Sequence, residues 1–175
     1  MKEGYIHAEL KRGMFHGAEF ELPLPSVGAT ENLVMAAVLA KGITVLKRVA
    51  REPEVVELCE ALNNAGAKIT GIGTATLEIE GVTSLRGFNH HIKPDRIEAG
   101  TFIALAAATR STFTLNQVCA DDMANVCERF IHAGVSFDYE KELEGSIGAL
   151  RVSASQRLRA TDVETAVYPG FPTDM

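Results

Sequence analysis

An internal repeat constrains this chain more than any other feature of it. From Gly28 the residues predict a helix over 29–40, a strand over 43–49, a helix over 53–65 and two short strands over 68–71 and 76–80. From Gly100 the same order returns: helix 101–109, strand 112–118, helix 122–133, strands 135–139 and 150–153. The landmarks coincide, with Asn64-Ala65-Gly66-Ala67 answering to His132-Ala133-Gly134-Val135 and Gly42-Ile43-Thr44-Val45 to Ser111-Thr112-Phe113-Thr114. Each copy is introduced by a predicted strand, 19–24 and 88–93, so the module reads β-α-β-α-β-β and the class is α/β (α+β). A third copy starts near Asp162, and the last six residues, Gly170 to Met175, read as the start of a helix. The chain is therefore expected to be a piece of something longer.

Local chemistry sets these elements. Val55, Leu58, Cys59 and Leu62 recur at helical spacing and form one apolar stripe. Pro53 suits the first helical position and Gly66 the left-handed residue that closes a helix. Thr74 to Glu80 alternates and predicts a strand with one buried face. The first helix of each copy is apolar almost all round, which predicts burial of Leu33, Ala37, Phe102 and Ala106. The second helices carry Glu57, Glu60 and Glu128, which predicts an exposed outer layer.

The charge balance narrows the partners. With a formal net charge of −6 and 17 Lys and Arg scattered along the chain, no clustered basic footprint for nucleic acid is present. No run is long and apolar enough to span a bilayer, and Met1 to Tyr5 lacks the apolar stretch of a signal peptide, so a cytoplasmic address follows by default. Cys59, Cys119 and Cys127 have neither metal-ligand spacing nor a CxxC pair. Cys59 and Cys127 fall inside amphipathic helices as small apolar residues, while Cys119, in a turn before a helix, is the one placed for lowered thiol pKa. His90 and His91 on a predicted strand point to opposite faces and cannot readily share a metal.

Three polar clusters remain. Ser26-Val27-Gly28 stands at a strand-to-helix turn that could hold a phosphate, although Ser26 as a simple helix cap already explains these residues. Asp95-Arg96-Ile97-Glu98 has the form of a capping box. Glu52 and Glu54 flank Pro53 at a helix start, where the dipole stabilises carboxylates.

Four stretches together carry a family resemblance: Pro25 to Asn32, Ala50 to Val56, Pro94 to Phe102 and Pro169 to Met175. In their order and spacing they resemble the middle of the UDP-N-acetylglucosamine 1-carboxyvinyltransferases, the enolpyruvyl transferases that open bacterial peptidoglycan synthesis. The resemblance covers essentially the whole chain. It implies an incomplete enolpyruvyl transferase / RNA 3′-phosphate cyclase-like fold, with repeated units building two domains and the active site in the cleft between them. On that map residues 1–92 are the last repeat of one domain with a preceding strand. Residues 93–175 are the first part of the other, reaching the start of a further repeat. The implied substrates are UDP-N-acetylglucosamine and phosphoenolpyruvate, with no cofactor and no metal.

Residue by residue, the resemblance assigns Pro25, Ser26, Val27 and Gly28 to the turn that meets the UDP phosphates. Thr173 and Asp174 go to the sugar, with Asp174 the proposed general base for its 3-hydroxyl. Glu52 and Glu54 match acidic positions of the family without an assigned role. Nothing in the chain resembles the family's N-terminal Lys-Asn pair, its mobile loop with a catalytic Cys and Arg, or the later Arg residues that clamp phosphoenolpyruvate. The isolated chain is therefore expected to be inactive, with Asp174 at a frayed terminus and apolar surfaces free to self-associate. Two other readings stay open. One is a shikimate-type enolpyruvyl transferase, and the other is a non-catalytic binding module.

Overall fold

The computed structural model describes residues 10, 13–141, 146–154 and 157–175, so the N-terminal stretch inspected for a leader lies outside the described residues. The chain forms two compact units, Met1–His91 and Ile92–Met175.

In the first unit, β1 (Glu19–Glu21), α1 (Val27–Ala37), β2 (Ile43–Lys47), α2 (Pro53–Asn64), β3 (Lys68–Thr70) and β4 (Thr76–Glu80) follow in the order the repeat predicts. The sheet order is β1-β2-β4-β3, with β1 parallel to β2 and the other pairs antiparallel. Register places Leu46 opposite Leu77, and Ile79 between Thr44 and Ile69. Alternation then turns these side chains to one face, where Val34, Ala37 and Val38 from the α1 region and Cys59 from α2 close the core.

The second unit runs α3 (Arg96–Thr109), β5 (Thr112–Cys119), a 3-10 turn (Asp121–Met123), α4 (Ala124–Ala133), β6 (Val135–Lys141) and β7 (Ile147–Ala154). Its sheet, β5-β7-β6, repeats the β2-β4-β3 arrangement with the same antiparallel pairing. Ile103 and Ala106 from α3 meet Met123, Val126, Leu150 and Val152 in its core. The aligned Gly66 and Gly134 both adopt positive φ, 100° and 101°, and both sit where a helix ends and a strand begins. The repeat is thus a repeat of chain reversals as well as of elements.

Several expectations are corrected. The strand predicted over 88–93 does not form. A strand needs a paired edge, and His90 is instead held by Glu57 of α2 at 3.1 Å, with both side chains largely buried, so Glu57 is not exposed as predicted. Helix α3 begins at Arg96 rather than at residue 101, because Asp95 caps it, accepting from the amides of Ile97 (2.7 Å) and Glu98 (3.2 Å). Phe102 is 41% exposed and Leu33 only half-buried, so each first helix keeps an uncovered apolar side within its unit, while Ala37 and Ala106 are buried as predicted. Glu60 and Glu128 are exposed, as the outer-layer argument requires. The expected third copy contributes a single bridge, Thr165 to Phe171, and the last residues form a turn instead of a helix.

Candidate functional site

The predicted site residues fall in both units, Pro25 to Gly28 in the first and Thr173 and Asp174 in the second. At the first, Ser26 takes an extended conformation (φ −125°, ψ 123°) and caps α1, accepting a long bond from the Ala29 amide at 3.4 Å. The Ser26 carbonyl accepts from both the amide (2.9 Å) and the hydroxyl (2.7 Å) of Thr30. Thr30 is fully buried, and its hydroxyl oxygen accepts in turn from the Ala50 amide at 3.0 Å. One buried hydroxyl thus ties the start of α1 to the chain that follows β2.

The turn is open on its outer side. The amides of Val27 and Gly28 have no acceptor among the described residues, and a methyl built on Gly28 would meet nothing within 4 Å. The first turn of α1 contains no acidic residue, whereas α2 and α3 carry Glu54 and Glu98 there. The positive end of the α1 dipole is left uncompensated by its own residues, the electrostatic condition for receiving an anion. A cap and an anion site are compatible here, because Ser26 engages only the Ala29 amide and leaves the two preceding ones.

Glu52 is the residue before α2 and makes no side-chain cap bond. Its Oε2 is buried with no hydrogen-bond partner among the described residues, a costly state for a carboxylate oxygen. The capping-box reading of Asp95 and Glu98 is realised through Asp95.

Asp174 is exposed, as is Thr173, and the residues on either side of the pair are packed. On one side Phe171 is 9% exposed and packs in the core of the second unit, followed by buried Pro172. On the other, Met175 packs against α3 at Gly100, where an added Cβ would lie 2.2 Å from the Met175 sulfur. Upstream, the Arg96 guanidinium sits 5.5 Å from the centre of the Tyr168 ring, and the Asn125 amide donates to the Pro169 carbonyl. These contacts line a small cleft between the start of α3, the start of α4 and the 168–172 segment. The residues that pack against this segment are distant from it in sequence, so no spacing links them to it. A glycine inside a helix weakens it, and Gly100 is retained where a side chain would displace Met175.

The cysteines are structural. Cys119 ends β5 rather than lying in a turn, is 5% exposed and donates toward the Ser146 hydroxyl at 3.6 Å, which removes the case for special reactivity. Burial pushes the thiols of Cys59 and Cys127 up to about 11. Among the described residues no group of three His, Cys, Asp or Glu is placed to hold a metal, and no helix is long and apolar enough to cross a membrane.

Comparison with known proteins gives consistent findings. A family model described as EPSP synthase (3-phosphoshikimate 1-carboxyvinyltransferase) matches residues 1–175. The UDP-N-acetylglucosamine 1-carboxyvinyltransferase of Granulibacter bethesdensis is 47% identical over 175 residues, all of this chain and 40% of that protein. UDP-N-acetylglucosamine 1-carboxyvinyltransferase 1 of Caldanaerobacter subterraneus subsp. tengcongensis is 45% identical over 172 residues, 98% of this chain and 40% of that one. The chain thus spans about 40% of the length of the curated relatives it matches. Among solved structures, the enolpyruvyl transferase NikO from Streptomyces tendae superposes with a TM-score of 0.67 at 22% identity, covering 83% of this chain and 34% of that one. The EPSP synthase from Acinetobacter baumannii superposes at 0.61 and 20% identity, covering 87% and 34%. At those identities the structures establish the fold, which is that of the enolpyruvyl transferases.

Proposed function

The chain belongs to the EPSP synthase (3-phosphoshikimate 1-carboxyvinyltransferase) family, and within it we propose that the whole protein moves the enolpyruvyl group of phosphoenolpyruvate to the 3-hydroxyl of UDP-N-acetylglucosamine, releasing phosphate. The observation that carries this choice of acceptor is the identity of 45–47% along the chain to relatives named for that reaction. The place of action is the cytoplasm, where a nucleotide sugar is made into a peptidoglycan precursor.

In this reading the open turn Pro25 to Gly28 receives the diphosphate, through the Val27 and Gly28 amides and the dipole of α1. Such a site asks for backbone donors without a competing carboxylate, and α1 has that composition. Thr173 and Asp174 face the sugar. The Asp174 carboxylate accepts the proton of the 3-hydroxyl as its oxygen bonds to the enol carbon and the methylene carbon of phosphoenolpyruvate takes up a proton, and the later elimination removes a proton from the resulting methyl as phosphate departs. Residues 1–92 then belong to one transferase domain and 93–175 to the other. Stabilising charge on the transferring group is a large part of such a barrier, and this chain spans 40% of its relatives, so we infer that it does not turn over alone.

Phosphate release by the whole protein tests the reading. Turnover is expected with UDP-N-acetylglucosamine and not with shikimate 3-phosphate as acceptor; the reverse preference rejects the diphosphate assignment in favour of a shikimate-type enzyme. Asp174→Asn should lower turnover at least about a hundredfold with the fold intact, since it removes a proton acceptor at constant bulk. Near-normal turnover of that variant rejects Asp174 as base, and phosphate release by the 175-residue chain alone rejects its inactivity.

A further inference from the structure

We propose that Asn125 is a positioning residue for the reaction, holding the 168–175 segment so that the backbone carrying Asp174 has one position. The proposal rests on the reading of Asp174 as proton acceptor and adds to it the side chain that sets its geometry.

Asn125 lies exposed in the first turn of α4, where its amide Nδ2 donates to the Pro169 carbonyl. That side chain has no helix-capping duty, because Met123 stands at the cap position and makes no side-chain bond. Its hydrogen bond goes wholly to a loop of the same unit. The loop is closed on itself by two backbone bonds, Ala166 amide to Phe171 carbonyl at 3.0 Å and Gly170 amide to Val167 carbonyl at 2.8 Å. Gly170 is packed so closely that an added Cβ would lie 2.5 Å from that of Ala166.

Further contacts hold the same loop to α3. Arg96, Gly100 and Ile103 recur at i, i+4 and i+7 and share one face of that helix. Arg96 meets the Tyr168 ring, Gly100 leaves the space that the Met175 sulfur occupies, and Ile103 belongs to the core that receives Phe171. Asp174 sits between these anchors with no hydrogen-bond partner of its own among the described residues. With no bond of its own, the carboxylate depends on the backbone that carries it for its position. Asn125 adds an anchor outside α3 and the core, and it fixes the upstream arm of the loop against rotation about the Phe171 and Met175 contacts. A misplacement of about 1 Å in a reacting group can cost on the order of a hundredfold in rate, so a tether of this kind acts on turnover.

The test uses the whole protein with Asn125→Leu, which keeps the bulk and removes the donor, and Asn125→Gln, which keeps an amide. In Asn125→Leu, hydrogen exchange across residues 165–171 should rise about fivefold, the effect of one lost hydrogen bond, with the rest of the unit unchanged. Turnover should fall roughly tenfold with KM for the UDP sugar little moved, and Asn125→Gln should recover part of both. Against the residual turnover of Asp174→Asn, adding Asn125→Leu should cost nothing more, because the tether acts through that carboxylate. Unchanged exchange in Asn125→Leu overturns the proposal, as does a full further loss in the Asp174→Asn background, which marks general destabilisation. If Asp174→Asn itself turns over normally, the base assignment fails, and exchange alone decides the tether: a rise confined to 165–171 upholds it and no rise ends it.

Discussion

Thr30 shows how much of this structure turns on single polar atoms. Its hydroxyl is fully buried and bridges the Ser26 carbonyl to the Ala50 amide, so it fixes the turn that leads into α1. Thr30→Val keeps the shape and strands a buried amide, which should cost about 1–3 kcal/mol in urea unfolding. Thr30→Ser keeps the hydroxyl and should cost less. The buried thiols give a pH signature of the opposite kind. Desolvation raises Cys59 and Cys127 from the ordinary 9.0 to about 11, with the Glu60 and Glu31 carboxylates adding to the first. Between those values the folded state holds protons that the unfolded chain has released. The contribution is therefore present below about pH 9 and lost as pH rises toward 11. Stability measured against denaturant should fall through that window, and replacing both residues by Ala should flatten the fall. Alkylation of the two thiols should stay slow at pH 8, since the thiolate is the nucleophile.

At the scale of elements, the repeat was legible because its landmarks are physical necessities. Gly66 and Gly134 need left-handed backbone at φ of 100° and 101°, Pro53 opens α2, and β4 alternates, so these boundaries could be read from residue type. What could not be read depends on partners. Residues 88–93 have strand-like composition yet pair with no sheet edge among the described residues, and Phe102 has an apolar side chain whose cover is not supplied within its own unit. The candidate site divides in the same way. The Ser26 turn follows from local capping chemistry, whereas the anchoring of Asp174 depends on contacts of Asn125, Gly100 and Arg96 across the second unit, with no spacing to announce them. The error at α3 is instructive, since the repeat placed the helix start after Gly100, as after Gly28, and Gly100 instead lies inside the helix as a seat for Met175. Gly100→Ala sets two effects against each other, a gain in helix propensity of about 1 kcal/mol and the displacement of Met175. The melting point should move little while the Met175 methyl resonance shifts. An unmoved resonance would show that the glycine has no seating role.

For the whole molecule, the apolar faces left uncovered within each unit dictate behaviour in solution. Met35, Leu39 and Ile43 in the first unit are 47%, 50% and 55% exposed, and Phe102 and Leu105 in the second are 41% and 47% exposed. Met35 and Leu39 lie at or just beyond the end of α1, and Phe102 and Leu105 lie on α3, so the same first helix of the module bears the exposed surface in both copies. Apolar side chains grouped on helix faces are driven together at about 25 cal/mol for each Å² removed from water, and a second copy of the chain supplies a matching face. We propose on that basis that the 175-residue chain self-associates. Light scattering across a concentration series should show a mass above the 18.8 kDa of one chain, rising with concentration and with added sulfate, which strengthens apolar burial. Leu39→Glu and Phe102→Glu place a charge on each face without touching the buried core, and together they should return the chain to a monomer with its far-ultraviolet circular dichroism unchanged. A mass of one chain at every concentration would remove the proposal. Persistent association of the double variant would place the contact elsewhere, with β1, an edge strand among the described residues, and its exposed Phe20 next to be tested.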